Sequence, residues 1–142
     1  MTAFVVVPQW QGSPSSRAMR LAEGAEAIRS DLPASSTLLV EVPLEAGDAQ
    51  GSGIARLGSL QLVRARMAEA LDAATAPAIV IGGDCAVSTA AVAHVASPEL
   101  AVVWFDAHPD LNTPATSPSG AFAGMVLASL VEDATIDTAR LV

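Results

Sequence analysis

Cysteine is almost missing from this 142-residue chain. Cys85 stands alone, which excludes an internal disulfide framework and fits a reducing, cytoplasmic setting. Basic residues are scarce as well, seven Lys and Arg against fifteen Asp and Glu. The resulting formal charge of −8 argues against nucleic acid as a partner, because phosphate binding needs clustered cations. No apolar run reaches the roughly 18 residues of a membrane-spanning helix, so a membrane partner is not expected. The N-terminus has no basic segment before its apolar stretch, and Pro8 breaks that stretch early, so a secretory signal is not expected either. Charged residues amount to only 15% against 51% hydrophobic, with a mean hydropathy of +0.46. That balance excludes disorder and points to heavily buried strands in one domain.

What is present is an alternation of short β-branched runs with helical patterns. Strands are expected at Phe4–Val7, Thr37–Val42, Ala78–Ile81 and Leu100–Phe105, and Arg140–Val142 reads as the opening of another. Helical spacing covers Arg17–Arg29, Ile54–Ala74, Ser88–Val95 and Ala121–Leu130. In the second of these, Leu57, Leu60, Val63, Met67 and Leu71 recur every three or four residues. Gln11–Ser16 and Gly47–Gly53 read as loops. Strands without a polar face, separated by helices, imply an α/β fold whose parallel sheet is covered on both sides. A chain ending on a nascent strand leaves a sheet edge unpaired, so the sequence is expected to be a truncated domain.

Three segments carry chemistry. Trp104-Phe105-Asp106-Ala107-His108-Pro109-Asp110 lies at an expected strand end, where open parallel sheets bind ligands. Side chains at alternating positions of an extended segment project to one side, so Asp106, His108 and Asp110 can converge. Two carboxylates and an imidazole suit Mn, Fe or Zn, although a capping aspartate and a hydrogen-bonded histidine beside a turn explain the same residues. The second segment, Ile81-Gly82-Gly83-Asp84-Cys85, also ends a strand. Asp84 can cap the helix that follows. Cys85 can supply a thiolate to a metal, act as a nucleophile paired with His108 or His94, or lie buried and inert. The third segment, Asn112–Gly120, is either a substrate-binding loop or an ordinary polar surface loop.

Taken in order, Gly82-Gly83-Asp84-Cys85, Asp106-Ala107-His108-Pro109-Asp110 and Asn112-Thr113-Pro114 with Ser119-Gly120-Ala121-Phe122-Ala123-Gly124 resemble the arginase (ureohydrolase) family, and its arginase-like branch in particular. The likeness is plain from about residue 79 to residue 130 and matches the N-terminal half of such proteins. It implies a three-layer α/β/α fold and two manganese ions that activate a bridging water against a guanidino or amidino substrate. By the same resemblance Asp106 bridges the two ions, His108 and Asp110 bind one each, and Asn112 and Ser119 hold the substrate's α-carboxylate. Association into homo-oligomers is also a family habit.

The departures from the family pattern matter. Cys85 occupies the place of a histidine ligand, and a thiolate shifts metal preference toward Zn or Fe. Ala123 stands where the family has a proton-transfer histidine, leaving no catalytic side chain there, and Ala121 replaces a substrate-contacting asparagine. The Asp-x-Asp pair that completes the family's metal site has no counterpart after Asp110. Two readings therefore stand: a metal-dependent hydrolase of linear C–N bonds, or an inactive remnant that acts only by association.

Overall fold

The computed structural model describes residues 2–131. Its centre is β1 (Ala3–Val7), where Val5, Val6 and Val7 are all fully buried. The parallel sheet runs β2-β1-β3, with β2 at Thr37–Leu39 and β3 at Ala78–Gly82. Phe4 pairs with Thr37 on one side and with Ile79 on the other. A central parallel strand loses both faces and both edges to neighbours, which is why an unbroken valine run suits it.

Alternation sends the valines to opposite layers. Val5 and Val7 join Val40 and, from α2 (Leu57–Ala73), Val63, Met67 and Leu71. Val87 and Ala90 of α3 (Val87–His94) complete that cluster. The other layer is α1 (Arg20–Arg29), which packs on β1 and β3 through Ala25. The sheet is thus sandwiched between helices, as the apolar strands implied.

A second apolar cluster lies to one side of the sheet. Ile54, Leu57 and Leu60 meet Phe122, Met125 and the residues of α4 (Val126–Leu130), with Cys85 and Trp104 packed against them. The expected helix over Ala121–Leu130 is split: Phe122–Met125 forms a 3-10 turn before α4 begins. The other helices fall within three residues of their expected ends.

The strand expected over Leu100–Phe105 does not form. Among the described residues β3 pairs only with β1, and the 100–105 segment runs beside no ladder partner. Val103 and Phe105 are 73% and 95% exposed. Apolar, β-branched composition makes a segment fit for a sheet, but a strand exists only where a neighbour takes its backbone hydrogen bonds. The strand expected at Arg140–Val142 lies outside the described residues.

Candidate metal centre

The site grows from the turn after β3. The backbone N–H of Gly83 donates to the Val7 carbonyl (3.0 Å) and that of Asp84 to the Gln9 carbonyl (3.1 Å), so the turn is stitched to the chain leaving β1. A Cβ on Gly83 would overlap the Gln9 carbonyl, so only glycine allows this approach. Asp84 then points inward and is 8% exposed. Its Oδ1 accepts from the Gln9 amide (3.1 Å) and the Ala86 N–H (2.9 Å), and its Oδ2 from the Gly12 N–H (2.9 Å). Burial raises its pKa above the ordinary carboxylate value despite those donors and the Arg56 charge. Arg56 braces the same loop by donating to the carbonyls of Gln11 (3.2 Å) and Ser13 (2.9 Å).

This clasp fixes Cys85 and the opposite wall together. The Gly12 carbonyl accepts from the Ala123 N–H (2.9 Å), and the Gly124 carbonyl accepts from the Asn112 N–H (2.9 Å). The expectation that Asp84 caps the following helix is not met: Ala86 is the N-cap of α3 with no side-chain cap bond, and Asp84 instead closes the turn before it. Gln9 and Gly12 were not singled out in the sequence, where the only hint was a glycine in the loop after β1.

Cys85, Asp106 and Asp110 each present one ligand atom, and these atoms all lie within 4.8 Å of one another. The Cys85 thiol donates to Asp106 Oδ2 (Sγ···O 3.7 Å). Asp106 Oδ1 accepts from the His108 N–H (2.9 Å), and that bond leads in holding its pKa below the usual value. Asp110 sits at φ +50°, a left-handed conformation that costs a non-glycine residue about 1 kcal/mol or more. It is 4% exposed, its backbone carbonyl accepts from the Ala128 N–H (3.1 Å), and burial raises its pKa, with the Asp106 charge adding to the effect. Its Oδ2 is buried with no partner at hydrogen-bond distance, although the Cys85 thiol and the Trp104 indole N–H, itself buried and unpaired, act on the carboxyl and partly oppose the rise. An orphaned buried carboxylate oxygen beside a second carboxylate and a thiol is the environment a divalent cation relieves. The residues present therefore fit a metal.

His108 stands apart from that trio. Its side chain is 81% exposed and its Nδ1 lies 3.6 Å from Asp106 Oδ1, at the rim of the pocket. His94 is at the far end of α3, where it pairs with Asp72 of α2 (3.3 Å). Neither imidazole activates Cys85. Burial, together with Asp110, Asp106 and Asp84, pushes the Cys85 thiol up to about 12, so the nucleophile reading has no support in the geometry.

A pocket of about 320 Å³ opens beside the trio, lined by Cys85, His108, Asp110, Asn112, Ser119 and Ala123 among others. Ser119 Oγ accepts from the Ala121 N–H (3.2 Å), which leaves its own O–H to donate. The Asn112 side-chain oxygen accepts from Thr116 Oγ1 (3.3 Å). The Asp110 carboxylate on one wall and the donors of Asn112 and Ser119 on another suit a ligand with a cationic head and an oxygen-bearing tail.

Comparison with known proteins agrees with these features. The family model described as the Arginase family matches residues 12–142. Arginase from Entamoeba histolytica is 48% identical over 56 residues, which is 36% of this chain and 19% of that protein. Arginase from Bacillus caldovelox is 47% identical over 53 residues, 36% of this chain and 18% of its own. Among solved structures, the E. histolytica arginase in complex with L-ornithine superposes with a TM-score of 0.74 at 26% identity, covering 92% of this chain and 49% of that one. Bacillus subtilis arginase gives a TM-score of 0.68 at 28% identity, with 92% and 46% covered. The chain spans about half the length of the solved structures it matches.

Proposed function

From the chain's membership of the arginase family, we propose that it derives from, and retains part of, a metal-dependent hydrolase acting on a guanidino or related linear C–N bond. The observation that carries this reading is the buried Asp110 Oδ2, gathered with Asp106 and Cys85 beside a pocket that Cys85 and Asp110 line.

Cys85, Asp106 and Asp110 would hold the cation, with manganese the family's metal and zinc or iron favoured by the thiol. A divalent cation there supplies the charge that lowers the pKa of water and makes it a nucleophile at neutral pH. The chain's own residues do the rest. The carboxylates attract a guanidinium or amidinium head, and Asn112 and Ser119 orient the polar tail through their free donors. Gly12 and Asp84 keep the two walls in register. Ala123 places a methyl group on the pocket wall and moves no proton. His108 is the one imidazole lining the pocket.

Loaded with manganese or zinc, the 142-residue chain is expected to release urea or ammonia from a guanidino substrate slowly. Ala123→His is expected to raise that rate by about 10²-fold, the usual contribution of a general acid–base group. A colorimetric urea assay across arginine, agmatine and simpler guanidines checks it. Zero turnover in both proteins with metal bound would sink the catalytic reading.

A second reading has its own observation. Val103 is 73% and Phe105 95% exposed just before Asp106, an arrangement that favours association with another polypeptide, a second copy of this chain being the simplest. Light scattering of the purified chain tests that directly.

A further inference from the structure

We propose that the trio of Cys85, Asp106 and Asp110 is a site for a single borderline-soft cation of the zinc, cobalt(II) or iron(II) class, selected against manganese and magnesium by the Cys85 sulfur. The inference rests on the hydrolase reading only in that both require a bound cation.

Three observations carry it. The first is donor type. His108 is turned to solvent, so the atoms gathered are one sulfur and two carboxylate oxygens. Thiolate sulfur holds zinc, cobalt and iron far better than it holds manganese or magnesium, whose preference is for oxygen. The second is count. All three donor atoms lie within 4.8 Å of one another, roughly 1 Å wider than donors around one zinc ion stand apart. That span admits one ion with a small contraction, and three donors from the described residues are a set for one ion rather than for two. The third is the state of the groups without metal. Asp110 is 4% exposed with Oδ2 at no hydrogen-bond distance from a partner, and among the described residues no cationic side chain except the peripheral His108 pairs with either carboxylate facing Cys85. Such a cluster is held together by a positive charge placed within it.

The chemistry balances simply. Binding forms one metal–sulfur and two metal–oxygen bonds, and the Cys85 thiol proton leaves to solvent. Cys85 and Asp110 both line the pocket, so a further coordination position faces it and stays open to water or a substrate atom. One thiolate and two carboxylates outweigh a divalent cation by one negative charge, which still favours a cationic head group.

The test titrates the chelator-stripped 142-residue chain with cobalt(II), whose bond to thiolate gives a near-ultraviolet charge-transfer band. Expected are one cobalt per chain, the thiolate band, displacement by one equivalent of zinc, and resistance to about a hundredfold excess of manganese. Cys85→Ser is expected to lose the band and to bind zinc at least about tenfold more weakly, with manganese binding little changed. Circular dichroism checks that the variant folds, and Asp110→Asn, which keeps the thiol, should weaken cobalt while retaining the band at saturation. Displacement by stoichiometric manganese, two cobalts per chain that both depend on Asp110, or bound cobalt without the thiolate band would overturn the proposal. Zinc bound no more tightly by wild type than by Cys85→Ser, with manganese competing on equal terms in wild type, would overturn it while leaving the hydrolase reading intact. Failure to bind any cation would overturn both.

Discussion

At Asp84 a single carboxylate takes three hydrogen bonds from three parts of the chain, two of them backbone N–H groups. Truncation to alanine leaves the Gly12 and Ala86 N–H groups and the Gln9 amide unpaired in the interior, each at a cost of about 1–3 kcal/mol. With some relief from water entry, Asp84→Ala is expected to lose roughly 2–4 kcal/mol of stability by urea denaturation. A loss under about 1 kcal/mol would show that the clasp adds nothing beyond neighbouring packing. Cys85 makes a prediction of opposite character. Burial, reinforced by the charges of Asp110, Asp106 and Asp84, pushes its pKa up to about 12, so less thiolate exists at any given pH than in an unfolded chain. On the order of one thiol in 10⁵ is ionised at pH 7, and alkylation of the metal-free fold should be far slower than in denaturant. The rate should still be climbing at pH 10. A plateau near pH 8.5 would refute the burial argument.

Helices and strands raise a different question, that of which faces are buried. In α2 the residues Leu57, Leu60, Val63, Met67 and Leu71 are all buried, matching their spacing in the sequence. Met67 is 1% exposed whereas Met19 is 63% exposed. Met67→Ala is therefore expected to cost about 2–5 kcal/mol, and Met19→Ala within about 0.5 kcal/mol of nothing. Thermal unfolding of the two variants side by side decides it, and similar losses would mean that α2 does not dock as described. Two elements depart from their patterns: Ala121–Leu130 splits into a 3-10 turn and α4, and Leu100–Phe105, whose composition promised a strand, has no ladder neighbour among the described residues.

At the scale of the molecule, an apolar stretch beside the Cys85–Asp106–Asp110 cluster is uncovered among the described residues. Val102, Val103 and Phe105 stand in solvent directly before Asp106. Exposed contiguous apolar surface marks an interaction site or an aggregation liability. The double variant Val103→Ser, Phe105→Ser is expected to shift the purified chain from associated to monomeric species in light scattering, with little change in thermal stability. A wild-type chain that is monodisperse and monomeric at high concentration would remove the case for self-association.

Much of this was legible before any coordinates. Unbroken valine at β1, the three-to-four spacing of α2 and the Gly-Gly-Asp turn are local patterns, and local patterns follow from backbone geometry and from the need to bury apolar side chains. The ordered motifs from Gly82 to Gly124 likewise disclosed the arginase family. Other features depend on contacts between residues far apart in the chain, which no local pattern encodes. Among these are the clasp from Asp84 to Gly12, separated by 72 positions, and the meeting of Cys85 with Asp106 across 21. Alternation along 106–110 suggested that Asp106, His108 and Asp110 face one way, yet the left-handed turn at Asp110 breaks the extended geometry on which that inference depends. The donor types were thus set by the sequence. Which of them gather into one cluster was decided by packing, because Asp110 is drawn into the interior beside Trp104 and α4 while His108 is left in solvent.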